Sequence, residues 1–96
     1  MNKNNATDRQ IDNSSRRQIT LLRTSTVCTR RGRSRSSHYL DIRDGLFVKP
    51  VRIGLRSTGT PDFEVNLLIS ATVAGKSEDE IRQLVKDLET ARKTLV

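Results

Sequence analysis

Ile81, Leu84, Val85, Leu88 and Ala91 recur three and four positions apart, with charged residues between them. That period predicts a final amphipathic helix with one apolar stripe. Ser77-Glu78-Asp79-Glu80 ahead of it fits a capping box, in which serine and glutamate satisfy each other's backbone amides. The preceding stretch differs. Phe63, Val65, Leu67, Leu68, Ile69, Ala71, Val73 and Ala74 fall nearly all round a helix predicted over residues 61–74. Such a helix calls for cover on most sides, from the upstream helices, the last helix or a second subunit. Thr60 is expected to cap it, Pro61 suits its first position, and Asp62 and Glu64 favour the positive end of its dipole. Gly75 ends it.

Upstream, Ile19-Thr20-Leu21-Leu22 opens the ordered part of the chain. Thr24 or Ser25 offers a cap for a short helix over residues 24–31, with Val27 and Cys28 facing inward. Gly32 stands where the chain needs a positive φ. Ser34 caps a second predicted helix, residues 35–43, that ends near Gly45. His38, Ile42 and Leu46 share one of its faces, and Tyr39 and Arg43 another. Pro50 then disfavours helix, while Val48, Val51 and Ile53 favour strand. Gly54-Leu55-Arg56 reads as a hairpin tip, with Ser57 to Gly59 returning. The predicted fold is mainly α with a small β-hairpin: a winged helix-turn-helix followed by two C-terminal helices. The plainer alternatives are two packed helices with a solvated basic turn, and a hairpin of structural purpose only.

Charge changes the picture. The 96 residues carry a formal net charge of +7, unevenly spread. Residues 1–60 hold 13 Lys/Arg and 4 Asp/Glu, a net of +9, whereas residues 61–96 hold 5 and 7, a net of −2. A basic half of this kind is the electrostatic footprint of a polyanion binder. Three regions are expected: a polar arm over residues 1–18, in which Arg16 and Arg17 sit among Asn and Ser; a core over residues 19–60; and a helical pair over residues 61–96, packing on that core or on a second subunit. No apolar run approaches a membrane span, and the first residues lack a signal-peptide core, so a soluble, cytoplasmic protein is expected. Cys28 is the sole cysteine, which excludes an intrachain disulfide.

Four arginines, Arg30, Arg31, Arg33 and Arg35, crowd the turn and the first turn of the second helix. In a helix-turn-helix that is the part that meets base edges in the major groove. Arg35 is the candidate base contact, because a guanidinium can bond guanine O6 and N7 together. Ser36, Ser37 and Tyr39 flank it, with Ser34 at the start of the helix. Arg33, Arg43, Lys49, Arg52 and Arg56 are candidates for neutralising phosphates. Other chemistry finds little support. Gly75-Lys76-Ser77 resembles the end of a phosphate-binding loop, but Ser70 stands where that pattern requires glycine. One His and one Cys fall short of a structural zinc site. No nucleophile, base and orienting group come together, so no enzyme, cofactor or metal is expected. The remaining carboxylates, concentrated in the C-terminal helices, read as solvent-facing charge.

Taken in order, LLRTSTVCTRRGRSRSSHYLDIRDGLFVKPVRIG resembles the DNA-binding core of AlpA-type prophage regulators. The shared features are LLR, a short helix ending in Gly, an S-R-S-[ST] segment, a Tyr, and an IxxGxFxxPVxIG-like run. AGKSEDEIRQLVKDLETARK is similar to the C-terminal extension of some members. The resemblance spans about residues 21–94. It implies a small winged helix-turn-helix related to MerR-type regulators and phage excisionases. The recognition helix then falls on residues 34–43, the contact segment on Ser34, Arg35, Ser36 and Ser37, and the wing on residues 49–59. Arg33 and His38 replace apolar residues of the pattern, and Thr60 an aromatic one. These changes imply either altered packing or a more basic contact surface.

The resemblance implies a double-stranded DNA-binding transcriptional regulator of a prophage or integrated element, nucleoid-associated in a bacterial cytoplasm. Its implied partners are DNA, a second copy or a cooperative array on DNA, and RNA polymerase or integrase. An excisionase-type factor that bends attachment-site DNA is the alternative. A protein-interaction module using the apolar helix over residues 61–74 is a third reading.

Overall fold

A computed structural model describes residues 18–95. The arm expected over residues 1–18, with Arg16 and Arg17, lies outside the described residues except for Gln18. The described chain is mainly helical with a small three-stranded antiparallel sheet. In chain order it forms β1 (Leu21–Leu22), α1 (Thr24–Arg31), α2 (Arg35–Arg43), β2 (Val51–Arg52), β3 (Thr58–Pro61), α3 (Asp62–Val73) and α4 (Glu78–Ala91), then a 3-10 turn at Arg92–Thr94.

Local chemistry explains most element ends. Gly32 ends α1 at φ 68°, where its amide and that of Arg33 return to the last carbonyls of the helix. A side chain disfavours that conformation, so glycine suits the position. The Ser34 hydroxyl accepts from the Ser37 amide and caps α2. Ser77 and Glu80 form the expected capping box of α4. Gly75-Lys76-Ser77 is a helix-to-helix turn.

Two expected caps are corrected. Arg23, in extended conformation, precedes α1, and neither Thr24 nor Ser25 supplies a side-chain cap. Thr60 does not cap α3 either; it is buried within β3, opposite Leu22 of β1. Pro61 closes β3, and the Asp62 amide donates to the Thr20 carbonyl. Pairing with β1 therefore takes the backbone that a cap would have used. The returning strand is Thr58–Pro61 rather than residues 57–59, and the sheet order is β1-β3-β2. Gly59 makes the close approach possible, since a Cβ there would lie 3.0 Å from the Leu21 Cβ.

The hydrophobic core unites both halves of the chain: Val27 from α1, Phe47 and Val48 from the segment after α2, Val65 and Leu68 from α3, and Val85 and Leu88 from α4. Fully burying side chains such as Val27, Phe47, Val48 and Val65 contributes roughly 1.5–3 kcal/mol each. α3 is not covered all round. Its buried face is Glu64, Val65, Leu68 and Ala71, whereas Leu67 is 46% and Val73 81% exposed. No helix among the described residues is long and apolar enough to cross a membrane.

Candidate nucleic-acid interface

α2 has two faces. His38 and Asp41 point inward with Ile42 beside them, and Arg35, Ser36, Tyr39, Leu40 and Arg43 form the exposed stripe. The helical period places these five within reach of a single ligand surface. Ser34 and Ser37 are occupied locally. The Ser34 hydroxyl takes the Ser37 amide at 3.1 Å and meets the Ser37 hydroxyl at 3.0 Å. Arg35 is exposed and makes no hydrogen bond or ion pair among the described residues.

The other arginines of the run have partners. Arg30 donates to the Asn66 side chain on α3 at 2.8 Å. Arg31 donates to Asp41 Oδ2 at 2.8 Å and to His38 Nδ1 at 2.8 Å, and its guanidinium lies 4.1 Å from the centre of the Phe47 ring. Arg33 forks onto both oxygens of Asp41, at 3.0 and 2.8 Å. Asp41 thus receives two guanidiniums, and a planar fork is the donor geometry that suits a carboxylate best. Burial alone raises the Asp41 pKa, but the hydrogen bonds from Arg33 and Arg31 outweigh it and hold the carboxyl below its ordinary value. Burial, together with the nearby Arg31 charge, pushes the His38 imidazole below its ordinary 6.5. His38 also packs edge-on against Phe47, with ring centroids 5.1 Å apart.

Arg33, expected among the phosphate contacts, therefore stands in an intramolecular pair, although part of its side chain faces solvent. Arg43 pairs with the adjacent Asp44 at 3.0 Å and is largely exposed. On the hairpin, Lys49 and Arg56 have exposed side chains. Arg52 donates to the Leu55 carbonyl at 3.0 Å, which ties its guanidinium across the tip, and the Ile53 amide closes the turn onto the Ser57 carbonyl. Leu55, at that tip, is 89% exposed and precedes Arg56.

Two participants escape sequence reasoning. Asp41 is the sole acid within α2 and lies three residues beyond His38, on the buried face. Glu64, expected to face solvent, is instead fully buried and paired with Arg92 at 2.6 Å. Its signal is its position four residues before Leu68, on the apolar stripe of α3. A cavity of about 370 Å³ opens beside the Asp41 cluster, lined by Arg31, Arg33, Phe47, Ile69, Val73 and Ile81 among others. Among the described residues no three His, Cys, Asp or Glu side chains gather as metal ligands. The chain matches no protein-family model, no curated protein and no solved structure.

Proposed function

We propose that this chain is a sequence-specific double-stranded DNA-binding regulator, built as a winged helix-turn-helix, with α2 in the major groove and the β2–β3 hairpin as a basic wing. The observation that carries the reading is the exposed stripe of α2. Arg35, Ser36, Tyr39 and Arg43 face outward together, and Arg35 alone among the crowded arginines has no partner among the described residues. Arg35 is the base contact, with Ser36 and Tyr39 beside it. Arg43, Lys49, Arg52 and Arg56 neutralise phosphates, which sets position without reading sequence. Arg33 contributes only the part of its charge that Asp41 leaves. The resemblance to AlpA-type regulators gives the biological setting, a prophage or integrated element in which RNA polymerase or integrase is a further partner.

The test is fluorescence-anisotropy binding to duplexes tiled across the gene's own neighbourhood, against random duplex, at several salt concentrations. One fragment favoured by roughly a thousandfold or more matches a specific binder. Its location, promoter or attachment site, separates a regulator from an excision factor. Weak, uniform binding that collapses with salt reports counterion release alone and removes the proposal. A second reading, self-association or partner binding through α3, is favoured by exposed Leu67 and Val73. Sedimentation at low and high concentration tests it, and a monomer throughout removes the homodimer.

A further inference from the structure

Lys49 begins the hairpin, and both of its backbone polar groups are held from the C-terminal end of α4. Its amide donates to Glu89 Oε2 at 2.8 Å, and its carbonyl accepts from Arg92 Nη2 at 2.7 Å. Arg92 is itself anchored, since its Nε and Nη2 fork onto the carboxylate of fully buried Glu64, at 3.0 and 2.6 Å. Pro50 follows, with no amide hydrogen and a fixed φ. Among the described residues, the groups of Lys49 are thus the last backbone groups before β2 that hydrogen-bond to the body of the protein. The two limbs of the hairpin are supported differently. β3 pairs with β1 on one side and β2 on the other, while β2 is an edge strand of two residues.

We infer that Glu89 and Arg92, with Glu64 behind them, are positioning residues that aim the basic β2 limb at a phosphate backbone. The inference rests on the reading of the hairpin as a DNA-contacting wing. Holding residue 49 by both backbone groups fixes where its exposed ammonium starts, and it fixes the direction of the strand that carries Arg52. None of the three residues needs to touch DNA. The C-terminal helix thereby becomes part of the binding apparatus.

The identity of the side chains gives a sharp test. Glu89→Ala and Glu89→Gln remove the same charge, so any general gain in attraction for DNA is equal in both. Only glutamine retains a carbonyl oxygen for the Lys49 amide. Arg92→Lys retains a positive charge for Glu64, but an ammonium lacks the planar fork that reaches the carboxylate and the Lys49 carbonyl together. Backbone ¹⁵N relaxation is measured on the free full-length variants, and salt-dependent binding is measured on the favoured duplex. Glu89→Ala and Arg92→Lys should lower the order parameters of Lys49, Val51, Arg52 and Ile53 from about 0.85 to below about 0.6, with α1 and α2 unchanged. Their salt dependence should flatten by about 0.9 in log–log slope for each phosphate that is no longer neutralised. Glu89→Gln should behave as wild type in both respects. Unchanged order parameters in Glu89→Ala overturn the clamp whatever DNA does. A loosened hairpin with wild-type salt slope overturns its role in binding. Wild-type protein that shows no preferred duplex defeats the DNA reading itself, and the aiming role falls with it, while relaxation still reports on the clamp.

Discussion

The turn between α1 and α2 and the hairpin between β2 and β3 are both rich in cations, yet they use them differently. In the turn, Arg30, Arg31 and Arg33 are directed back into the protein, onto Asn66, His38 and Asp41. In the hairpin, Lys49 and Arg56 project outward, and among the described residues Arg52 bonds only to the tip of its own loop. Formal charge is similar, but the charge offered to a ligand is not. The turn acts through shape, holding α2 against α1 so that Arg35 projects from a defined place. The hairpin presents a diffuse positive rim. A basic run becomes informative only after its intramolecular partners have been subtracted.

The largest expected loss is at Asp41, which holds two of the turn's guanidiniums. Asp41→Ala leaves Arg31, largely buried, without its carboxylate. Removing these hydrogen bonds to charged groups should cost about 1.5–3 kcal/mol in urea unfolding. No hairpin cation should cost comparably. A smaller effect is expected at Ser34, where Ser34→Ala removes the cap of α2 and should cost about 1 kcal/mol in the same assay.

A dependence on pH is expected as well, because the arginines of the turn pack against a buried imidazole, His38 of α2. The folded pKa of His38 lies below its ordinary 6.5, so the unfolded chain binds the proton more readily. Its contribution is therefore fully present above about pH 6.5 and declines as pH falls towards the folded value. Asp41 adds a second loss only as pH falls below its ordinary 3.8, because its folded pKa is depressed too. Unfolding midpoints in urea from pH 8 down to pH 4 should show the first decline, and His38→Gln should flatten it. The smallest expected effect is at the hairpin. Arg56→Ala should leave stability within about 0.5 kcal/mol of wild type. It should weaken binding evenly across DNA sequences and reduce the salt slope by about 0.9.

Much of the scaffold is legible in the sequence where the determinants are local. Gly32, the Ser34 cap, the span of α2 and the Ser77–Glu80 capping box each depend on residues within one turn, and each is found as expected. The sheet is less legible. β1 has two residues, and its partner β3 lies nearly forty positions away, so local pattern makes Thr60 a helix cap rather than a strand residue. The charged cores escape for the same reason. Glu64 and Arg92 are 28 residues apart, and no local pattern announces their pairing. Arg33 and His38 meet the same small polar cluster, His38 through Arg31 and Arg33 through Asp41. The exposed stripe of α2 is only half visible, because spacing places Tyr39 with Arg43 but leaves open which arginines are free.

The most direct measurement is anisotropy binding of wild type, Arg35→Ala and Arg33→Ala to the favoured duplex and to random duplex, at matched salt. Arg35→Ala should lose roughly 1–3 kcal/mol on the favoured duplex and little on random DNA, with unchanged unfolding. Arg33→Ala should show its larger defect in stability. Equal loss on both duplexes for Arg35→Ala, or site-specific loss for Arg33→Ala in a stably folded protein, would contradict the division of labour among these arginines.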